Sequence, residues 1–243
     1  MTDELHPMRG ARAVIDLHCH TDASFDSLAP PASVVRAAVS QGLTHLAITD
    51  HGRIDGALRA RDAAPAGLTV IIGEEVRTLE GDLICLYLEH PVSSGLPVHE
   101  TIALAREQGA LVGIPHPFDR HRASILLDPK LEEIAAQIDW LETWNARVLS
   151  GTGNQLAVAF AHQHGLPGVA VSDAHSILEV GVAYSSIQGD PGTSAGFRAA
   201  LPSLTHSFGD PPGAGRRPTP IRRLIGRTRG STGPASRAVR GRP

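Results

Sequence analysis

The chain has 243 residues, 42% of them hydrophobic, and this length and composition predict one barrel-sized globular domain with a large core. No run of about 18 apolar residues occurs, so a membrane-spanning helix is not expected. The net charge of −3 conceals a division: residues 209–243 contain nine arginines and one acid, whereas residues 1–208 carry 13 basic and 24 acidic residues. An acidic body rich in histidine favours a site for divalent cations, although an ordinary solvated surface has the same composition.

The beginning of the chain and its cysteine content bear on the compartment. Residues 1–12 are polar and lack the apolar segment of a secretory signal, so no such signal is expected. Cys19 and Cys85 are the only cysteines, which is too few for a disulfide framework. The sequence therefore predicts a protein of the reducing cytoplasm.

Short apolar runs alternate with amphipathic stretches through residues 1–208, which we predict to form one domain. The runs are rich in Val, Ile and Leu, as buried parallel strands are. The predicted strands are residues 13–18, 44–49, 68–73, 83–88, 111–114, 140–143 and 169–172. Helices are predicted where apolar residues recur at helical spacing before a glycine, at residues 31–41, 98–108 and 154–164. Roughly seven alternations predict an α/β fold with a parallel sheet, most simply closed into a barrel.

The composition changes at Gly209. Residues 209–243 consist mainly of Gly, Pro, Arg, Ser and Thr, and such a segment buries too little apolar surface to order itself. We therefore predict a disordered basic tail. Its arginines would allow contact with single-stranded nucleic acid or another acidic partner, and a solubilising extension is the alternative.

The segment DLHCHT, residues 16–21, closes the first predicted strand. Side chains alternate along a strand, so His18 and His20 face one way, while Cys19 faces the other way and is expected to pack. Two imidazoles on one side of a strand end are able to share a metal ion. The same spacing recurs in Asp173 and His175, directly after the last predicted strand.

Nearly every other predicted strand also ends beside a histidine or a carboxylate. In α/β barrels the active site lies where strands end and loops begin, so these side chains are expected to converge. Imidazole and carboxylate together suit Zn²⁺, Mn²⁺ or Fe²⁺, and a carboxylate such as Glu75 is able to bridge two ions. The further strand-end residues are Asp22, Asp26, Asp50, His51, Glu74, Glu75, His116, Glu142 and Asn145. The fourth predicted strand is the exception, because only His90 follows it.

Some of these acidic residues have structural roles as an alternative to metal binding. Asp16 precedes the histidine pair inside the strand, and we expect it to orient an imidazole or a backbone group. Asp22 and Asp26 have the alternative of capping the loop before the helix at residues 31–41.

Together these motifs resemble the PHP family, named for its polymerase and histidinol phosphatase members. The resemblance begins with DLHCHT, followed by Ser24 and Asp26. It continues with ITDH at residues 48–51, GEE at 73–75, the tripeptide Pro-His-Pro at 115–117 and SDAH at 172–175, which occur in the family's order between residues 13 and 186. The chain is similar to the short stand-alone bacterial PHP-domain proteins described as metal-dependent phosphoesterases. The resemblance implies a distorted (β/α)7 barrel, similar to a TIM barrel, that holds metal ions.

The resemblance also implies a ligand set for two or three divalent ions. Grouped by ion, its members are His18, His20, Glu75 and Asp173, then Glu75 and His116, then Asp26, His51 and His175. Family members with a complete second site have a histidine in the fourth strand, near the position of Leu83, and this chain has none there. The second site is therefore expected to lack one donor, which a water or a substrate phosphate would replace.

The loop after His116 carries residues expected to meet the substrate. Arg120 and Arg122 suit phosphate because a planar guanidinium matches its geometry, and a salt bridge with Asp119 is the alternative. His121 is a candidate proton donor. Glu142 and Asn145, by contrast, are expected to fix loops.

These observations predict a metal-dependent phosphoric ester hydrolase in which a metal-bound hydroxide attacks phosphorus. The expected substrate is a phosphomonoester, a nucleotide or the end of a nucleic acid. With an aromatic content of 4%, no stacking platform for a strand is evident. Two alternatives stay open: an amidohydrolase-like enzyme that cleaves a C–N bond, and a non-catalytic metal-binding regulatory module.

Overall fold

The computed structural model describes residues 12–122, 125–126, 128–149 and 151–208. The predicted basic tail lies outside these ranges, and so does the segment before Arg12. The proposed domain boundary at residue 209 therefore stays a prediction. Within the described residues, strands and helices alternate as expected of an α/β fold.

The described residues form one mixed sheet of nine strands. The strands are β1 Arg12–Asp16, β2 His45–Ile48, β3 Thr69–Arg77, β4 Asp82–Leu86, β5 Leu111–Ile114, β6 Trp140–Asn145, β7 Gly168–Val171, β8 Ala183–Gln188 and β9 Thr205–Phe208. Their order in the sheet is β7-β6-β5-β4-β3-β2-β1-β8-β9. All seven predicted strands are present. β8 and β9 are additional, and their hydroxyl-rich sequences, AYSSIQ and THSF, lack the apolar runs that marked the others.

Among the predicted strands, the expected parallel direction is wrong only at β4, and the two additional strands also pair in an antiparallel manner. β4 runs antiparallel to both β3 and β5, β8 runs antiparallel to β1, and β9 runs antiparallel to β8. The connection from β3 to β4 comprises only residues 78–81, and parallel strands need a crossover of about a dozen residues. Because β4 is inverted, its beginning lies beside the end of β3.

Six α-helices within the described part of the chain accompany the sheet. They are α1 Pro31–Ser40, α2 Asp55–Ala63, α3 Val98–Glu107, α4 Asp128–Ile134, α5 Gly151–His164 and α6 Ser194–Ala200. The three predicted helices correspond to α1, α3 and α5. Gly42 and Gly109 adopt positive φ just beyond α1 and α3, as predicted for glycines that end helices. None of the helices in the described ranges has the length and apolar character needed to cross a bilayer.

The sheet curls into a nearly closed barrel in which β7 approaches β1 and β8. The hydroxyl of Ser185 on β8 accepts the N–H of Ala170 on β7 at 2.8 Å and donates to its carbonyl at 3.1 Å. Beyond the end of β1, Cys19 forms a parallel bridge with Ala174. The N–H of His20 donates to the carbonyl of Ala174 at 2.8 Å. These contacts join the first strand to the seventh, and the predicted TIM-like barrel is confirmed.

Apolar side chains pack on both sides of the sheet. Alternate strand residues such as Ile84 and Leu86 form one cluster with Trp140 and Phe197. Side chains on the opposite face pack under the helices in two outer clusters. Cys19 belongs to an outer cluster, as predicted, and is turned away from its histidine neighbours.

Replacing Ser185 with alanine tests the closure between β7 and β8. The substitution leaves the buried N–H of Ala170 without its acceptor, and we expect the free energy of unfolding to fall by about 1–3 kcal/mol. Urea denaturation in EDTA measures this change without a contribution from metal binding. Ser40→Ala at the exposed end of α1 is the control, with an expected change below about 0.5 kcal/mol. Equal effects of the two substitutions would contradict the role of Ser185.

Candidate metal centre

Imidazole and carboxylate groups from several strand ends converge at the mouth of the barrel. His18 and His20, which follow β1, bring their Nε2 atoms to 2.9 Å from each other. Glu75 on β3 places Oε2 3.1 Å from Nε2 of His18 and 3.3 Å from Nε2 of His20. All three side chains are buried. The two histidines therefore share one direction, as their spacing predicted.

The carboxylate of Glu75 is the centre of this cluster. Its Oε1 lies 3.0 Å from Nε2 of His116, and its Oε2 lies 3.4 Å from Nδ1 of His51. Glu75 thus contacts histidines that follow β1, β2 and β5. It reaches them because β3 continues to Arg77, four residues past its predicted end.

A second group of donors lies closer to solvent. Oδ2 of Asp26 is 3.0 Å from Nε2 of His175 and 3.3 Å from Nε2 of His51. The ring of His20 packs against both histidines, with centroids 4.7 Å from His51 and 4.3 Å from His175. The outer group is therefore continuous with the buried one.

Asp173 joins the two groups. Its Oδ1 lies 3.5 Å from Nε2 of His18 and 3.5 Å from Nδ1 of His175. This oxygen atom is buried and has no hydrogen-bond partner. The backbone of Asp173 is left-handed, with φ 53°, and that of His116 has φ 29°. Such conformations are costly for residues with side chains and concentrate at functional sites.

The charges in the cluster are strongly coupled. Burial lowers the pKa of His20, but the nearby carboxylates of Asp173, 3.6 Å away, and Glu75, 3.3 Å away, outweigh burial and raise this pKa to about 9. Burial opposes ionisation of Asp173 and Glu75, yet the charge of His18 holds the pKa of both carboxyls well below the usual range. The cluster is thus arranged to keep its carboxylates ionised beside positive charge, which a bound cation also supplies.

The donor chemistry fits divalent metal ions. The donor atoms form three groups, and the atoms within each group lie within 4.8 Å of one another. The groups are His20, Asp26, His51 and His175; His18, His20 and Asp173; and Glu75, Asp82 and His116. Mixed imidazole and carboxylate donors suit transition-metal ions. The unpartnered Oδ1 of Asp173 is a further sign of fit, because a buried carboxylate oxygen without a donor is costly unless a cation meets it.

Glu142 and Asn145 on β6 hold side chains of the cluster through hydrogen bonds. Glu142 places Oε1 2.7 Å from Nδ1 of His18, and its Oε2 accepts the N–H of His116 at 2.7 Å. The side-chain amide of Asn145 donates to Glu142 at 2.8 Å and to Asp173 at 3.0 Å. Glu142 and Asn145 were expected to fix loops; Glu142 does so at the N–H of His116, and both residues also contact side chains of the cluster.

Two further buried aspartates fix the loops around the cluster. Asp50 accepts the N–H and the hydroxyl of Thr21 at 2.6 and 2.7 Å and the hydroxyl of Ser24 at 3.0 Å. Asp16 accepts the N–H of Ser172 at 3.0 Å and that of Gly181 at 3.2 Å. Burial raises the pKa of Asp16 to about 6, against the effect of these bonds. Asp16 therefore holds backbone, which is one of its two predicted roles.

The predicted substrate loop is divided between two clefts. Arg122 Nη2 pairs with Asp173 Oδ2 at 2.5 Å, and its Nε lies 3.3 Å from Asp119 Oδ2. Arg122 and His121 line the cleft above the metal-donor cluster. Arg120 is exposed and lines a neighbouring cleft, in which Arg122 also takes part. Arg122 thus forms the expected salt bridge with Asp119 and also lies beside the cluster.

Sequence reasoning missed Asp82. The fourth strand was expected to offer no donor, but the inversion of β4 brings its first residue to the mouth, where Asp82 groups with Glu75 and His116. Asp82 is buried, and its Oδ1 lies 2.5 Å from Nε of Arg77. The signal was the glycine-containing segment before Asp82, whose connection of residues 78–81 is too short for a crossover between parallel strands.

Comparison with known families agrees with the fold and the cluster. The model of the PHP domain matches residues 16–134, and that of the PHP-associated region matches residues 151–203. The chain belongs to the PHP family. An uncharacterized protein of Methanocaldococcus jannaschii is 32% identical over 173 residues, which are 70% of this chain and 68% of that protein.

Solved structures share the architecture at low sequence identity. A two-domain protein from Bacteroides vulgatus containing a predicted PHP-like metal-dependent phosphoesterase has a TM-score of 0.70 and 19% identity, over 82% of this chain and 66% of that one. Endonuclease Q, bound to a duplex with an abasic lesion, has a TM-score of 0.61 and 17% identity, over 79% of this chain and 57% of that one. The chain thus spans about two thirds or less of these neighbours. Family and donor clusters together support a metal-dependent hydrolase.

Replacing Glu142 with glutamine tests its positioning role. The substitution removes the charge that orients His18, and we expect divalent-metal affinity to fall by about 10–100-fold. Isothermal titration with Mn²⁺ and with Zn²⁺ measures this change. Glu133→Gln on exposed α4 is the matched control, and its affinity should equal that of the unaltered protein. Unchanged affinity in Glu142→Gln would show that His18 is oriented by other groups.

Proposed function

We propose that this chain is a metal-dependent phosphoesterase. The observation that carries the proposal is the position of Glu75, which contacts the buried pair of His18 and His20 with one oxygen and His116 with the other. A carboxylate in that position is suited to bridge two ions. An arginine then stands beside the cluster, as phosphate recognition requires.

The proposed ligands follow the three donor groups. One ion is assigned to the buried group around His18 and Asp173, with Glu75 shared. A second is assigned to Glu75, His116 and Asp82, and a third to the outer group around Asp26. The second site was expected to lack one donor, and we assign the carboxylate of Asp82 to that place. Bound divalent ions lower the pKa of water and stabilise charge on phosphoryl oxygens.

The side chains of the cleft complete the proposed site. Arg122 is held by Asp173 and Asp119 with its guanidinium toward the cluster, which orients it before substrate binds. We assign it to the non-bridging oxygens of the phosphate. His121 lines the same cleft and is assigned to hold a proton for the leaving oxygen. Arg120 is assigned to the adjoining cleft, where it would meet a longer substrate.

The size of the cleft limits the substrate. Its volume is about 350 Å³, near the lower end for small-molecule sites. A phosphomonoester, a single nucleotide or the terminal nucleotide of a strand fits this volume. Endonuclease Q, a structural neighbour, holds a duplex substrate with an abasic lesion at its active site, which supports a nucleic acid as one class of substrate to assay.

Glu75→Gln tests the bridging role. Loss of one negative charge at the centre of the cluster should reduce bound metal and lower turnover of phosphoesters more than about 100-fold. Elemental analysis and a screen of phosphomonoesters, phosphodiesters, amides and lactones measure both effects. Glu74→Gln is the matched control, because Glu74 occupies the opposite face of β3 and accepts the N–H of Val92. Turnover in Glu75→Gln equal to that of the control, or hydrolysis of amides alone, would refute the proposal.

Asp82 variants test the second ligand group. Asp82→Asn should lose about one bound ion per chain after dialysis, since a neutral amide is a weak ligand, whereas Asp82→His should retain it. Elemental analysis counts the ions. Asp22→Asn is the control, because Asp22 is partly exposed and pairs with Arg59. A wild-type metal count in Asp82→Asn would remove Asp82 from the ligand set.

A further inference from the structure

The cleft above the donor cluster is lined by both polar and apolar side chains. Arg122 and His121 belong to the polar part, and Phe25 and Leu149 to the apolar part. Phe25 is 84% exposed and Leu149 is 90% exposed. Exposed apolar side chains also occur elsewhere on the described surface, but these two line the cleft beside the candidate site, where a bound ligand would contact them.

The exposed ring of Phe25 is already part of a stack. It lies on the ring of His51, with centroids 5.0 Å apart and planes inclined by 26°. His51 in turn stacks on His20, with centroids 4.7 Å apart. A column of three rings therefore runs from the buried donors to the cleft, and its outermost member is open to solvent.

The loop that carries Phe25 is held on both sides. The hydroxyl of Ser24 donates to Asp50 at 3.0 Å and accepts the N–H of His51 at 3.1 Å. The hydroxyl of Ser27 donates to the carbonyl of His175 at 2.9 Å. Because these bonds order the loop and His51 supports one side of the ring, covering Phe25 with a flat group orders little additional backbone.

The polar and apolar parts of the cleft lining therefore suit two different chemical groups. Arg122 and the metal donors suit a phosphate, while Phe25 suits a flat, unsaturated ring. A nucleotide joins these groups in one molecule, and a volume of about 350 Å³ accommodates one such unit. The low aromatic content of the chain does not exclude stacking, because a single ring at the cleft is enough for a single base.

We propose that the substrate is a nucleotide whose base stacks on Phe25, which makes Phe25 a specificity-determining residue. This inference rests on the proposed phosphoesterase function. It predicts that purine nucleotides are preferred to pyrimidine nucleotides, since larger rings stack more strongly, and that both are preferred to phosphoesters without a ring.

Phe25→Ala tests the inference through a ratio of two substrates. The kcat/KM for adenosine 5′-monophosphate, divided by that for glycerol phosphate, should fall at least about 5-fold, and uridine 5′-monophosphate should lose less. Phe25→Trp should restore the ratio. Leu28→Ala is the matched control, because Leu28 belongs to the same loop and is 93% exposed. A 5′-phosphorylated trinucleotide, assayed alongside, distinguishes a free nucleotide from the end of a strand.

The ratio separates stacking from a structural role of Phe25. If Phe25 only supported His51, both substrates would lose equally and the ratio would stay unchanged, which would overturn the inference while leaving the phosphoesterase intact. Binding of adenosine 5′-monophosphate by calorimetry covers the other case. If neither ester is hydrolysed but Phe25→Ala weakens this binding at least about 5-fold, the phosphoesterase proposal fails and stacking stands. Unchanged binding there would overturn stacking as well.

Discussion

The structure depends on one buried carboxylate that is surrounded by imidazoles. Glu75 has no access to water, so its charge is tolerable only if positive charge or hydrogen-bond donors meet both oxygens. Four histidines supply that surrounding, and they come from positions far apart in the chain. The barrel must therefore be closed and rigid before the cluster exists, which ties the fold to its chemistry.

Further buried acids make this arrangement rigid. Glu142, Asp50 and Asp16 each accept backbone N–H groups next to the cluster. A carboxylate that accepts backbone donors fixes the loop that supplies them, and the loops at the mouth carry the donors. The result is a set of side chains whose directions are set before any ligand arrives, at the expense of strained backbone at Asp173 and His116.

Sequence predicted the parallel half of this fold better than the rest. Apolar runs located seven strands, and the residues after them contain most of the donors, because parallel strands end at one face of a barrel. An apolar run does not indicate whether a strand is parallel or antiparallel to its neighbours. β4 was therefore predicted to be parallel, and Asp82 at its beginning was missed. β8 and β9 escaped because hydroxyl-rich strands have no apolar signature. Exposure of Phe25 was also beyond reach, since it depends on which rings its loop meets.

The β3–β4 hairpin has a consequence for how the site is bounded. Its short turn is drawn together by the hydroxyl of Thr78, which donates to the carbonyl of Gly81 at 2.6 Å. Arg77 and Asp82 close its base beside the donors. In a barrel built only from parallel strands the loop after β3 would lead into a helix at this face, but here a tight turn returns directly into β4 beside the candidate site. Residues inserted at this tip would change the accessibility of the site while leaving every donor in place, so a lineage could acquire new selectivity by lengthening a single turn.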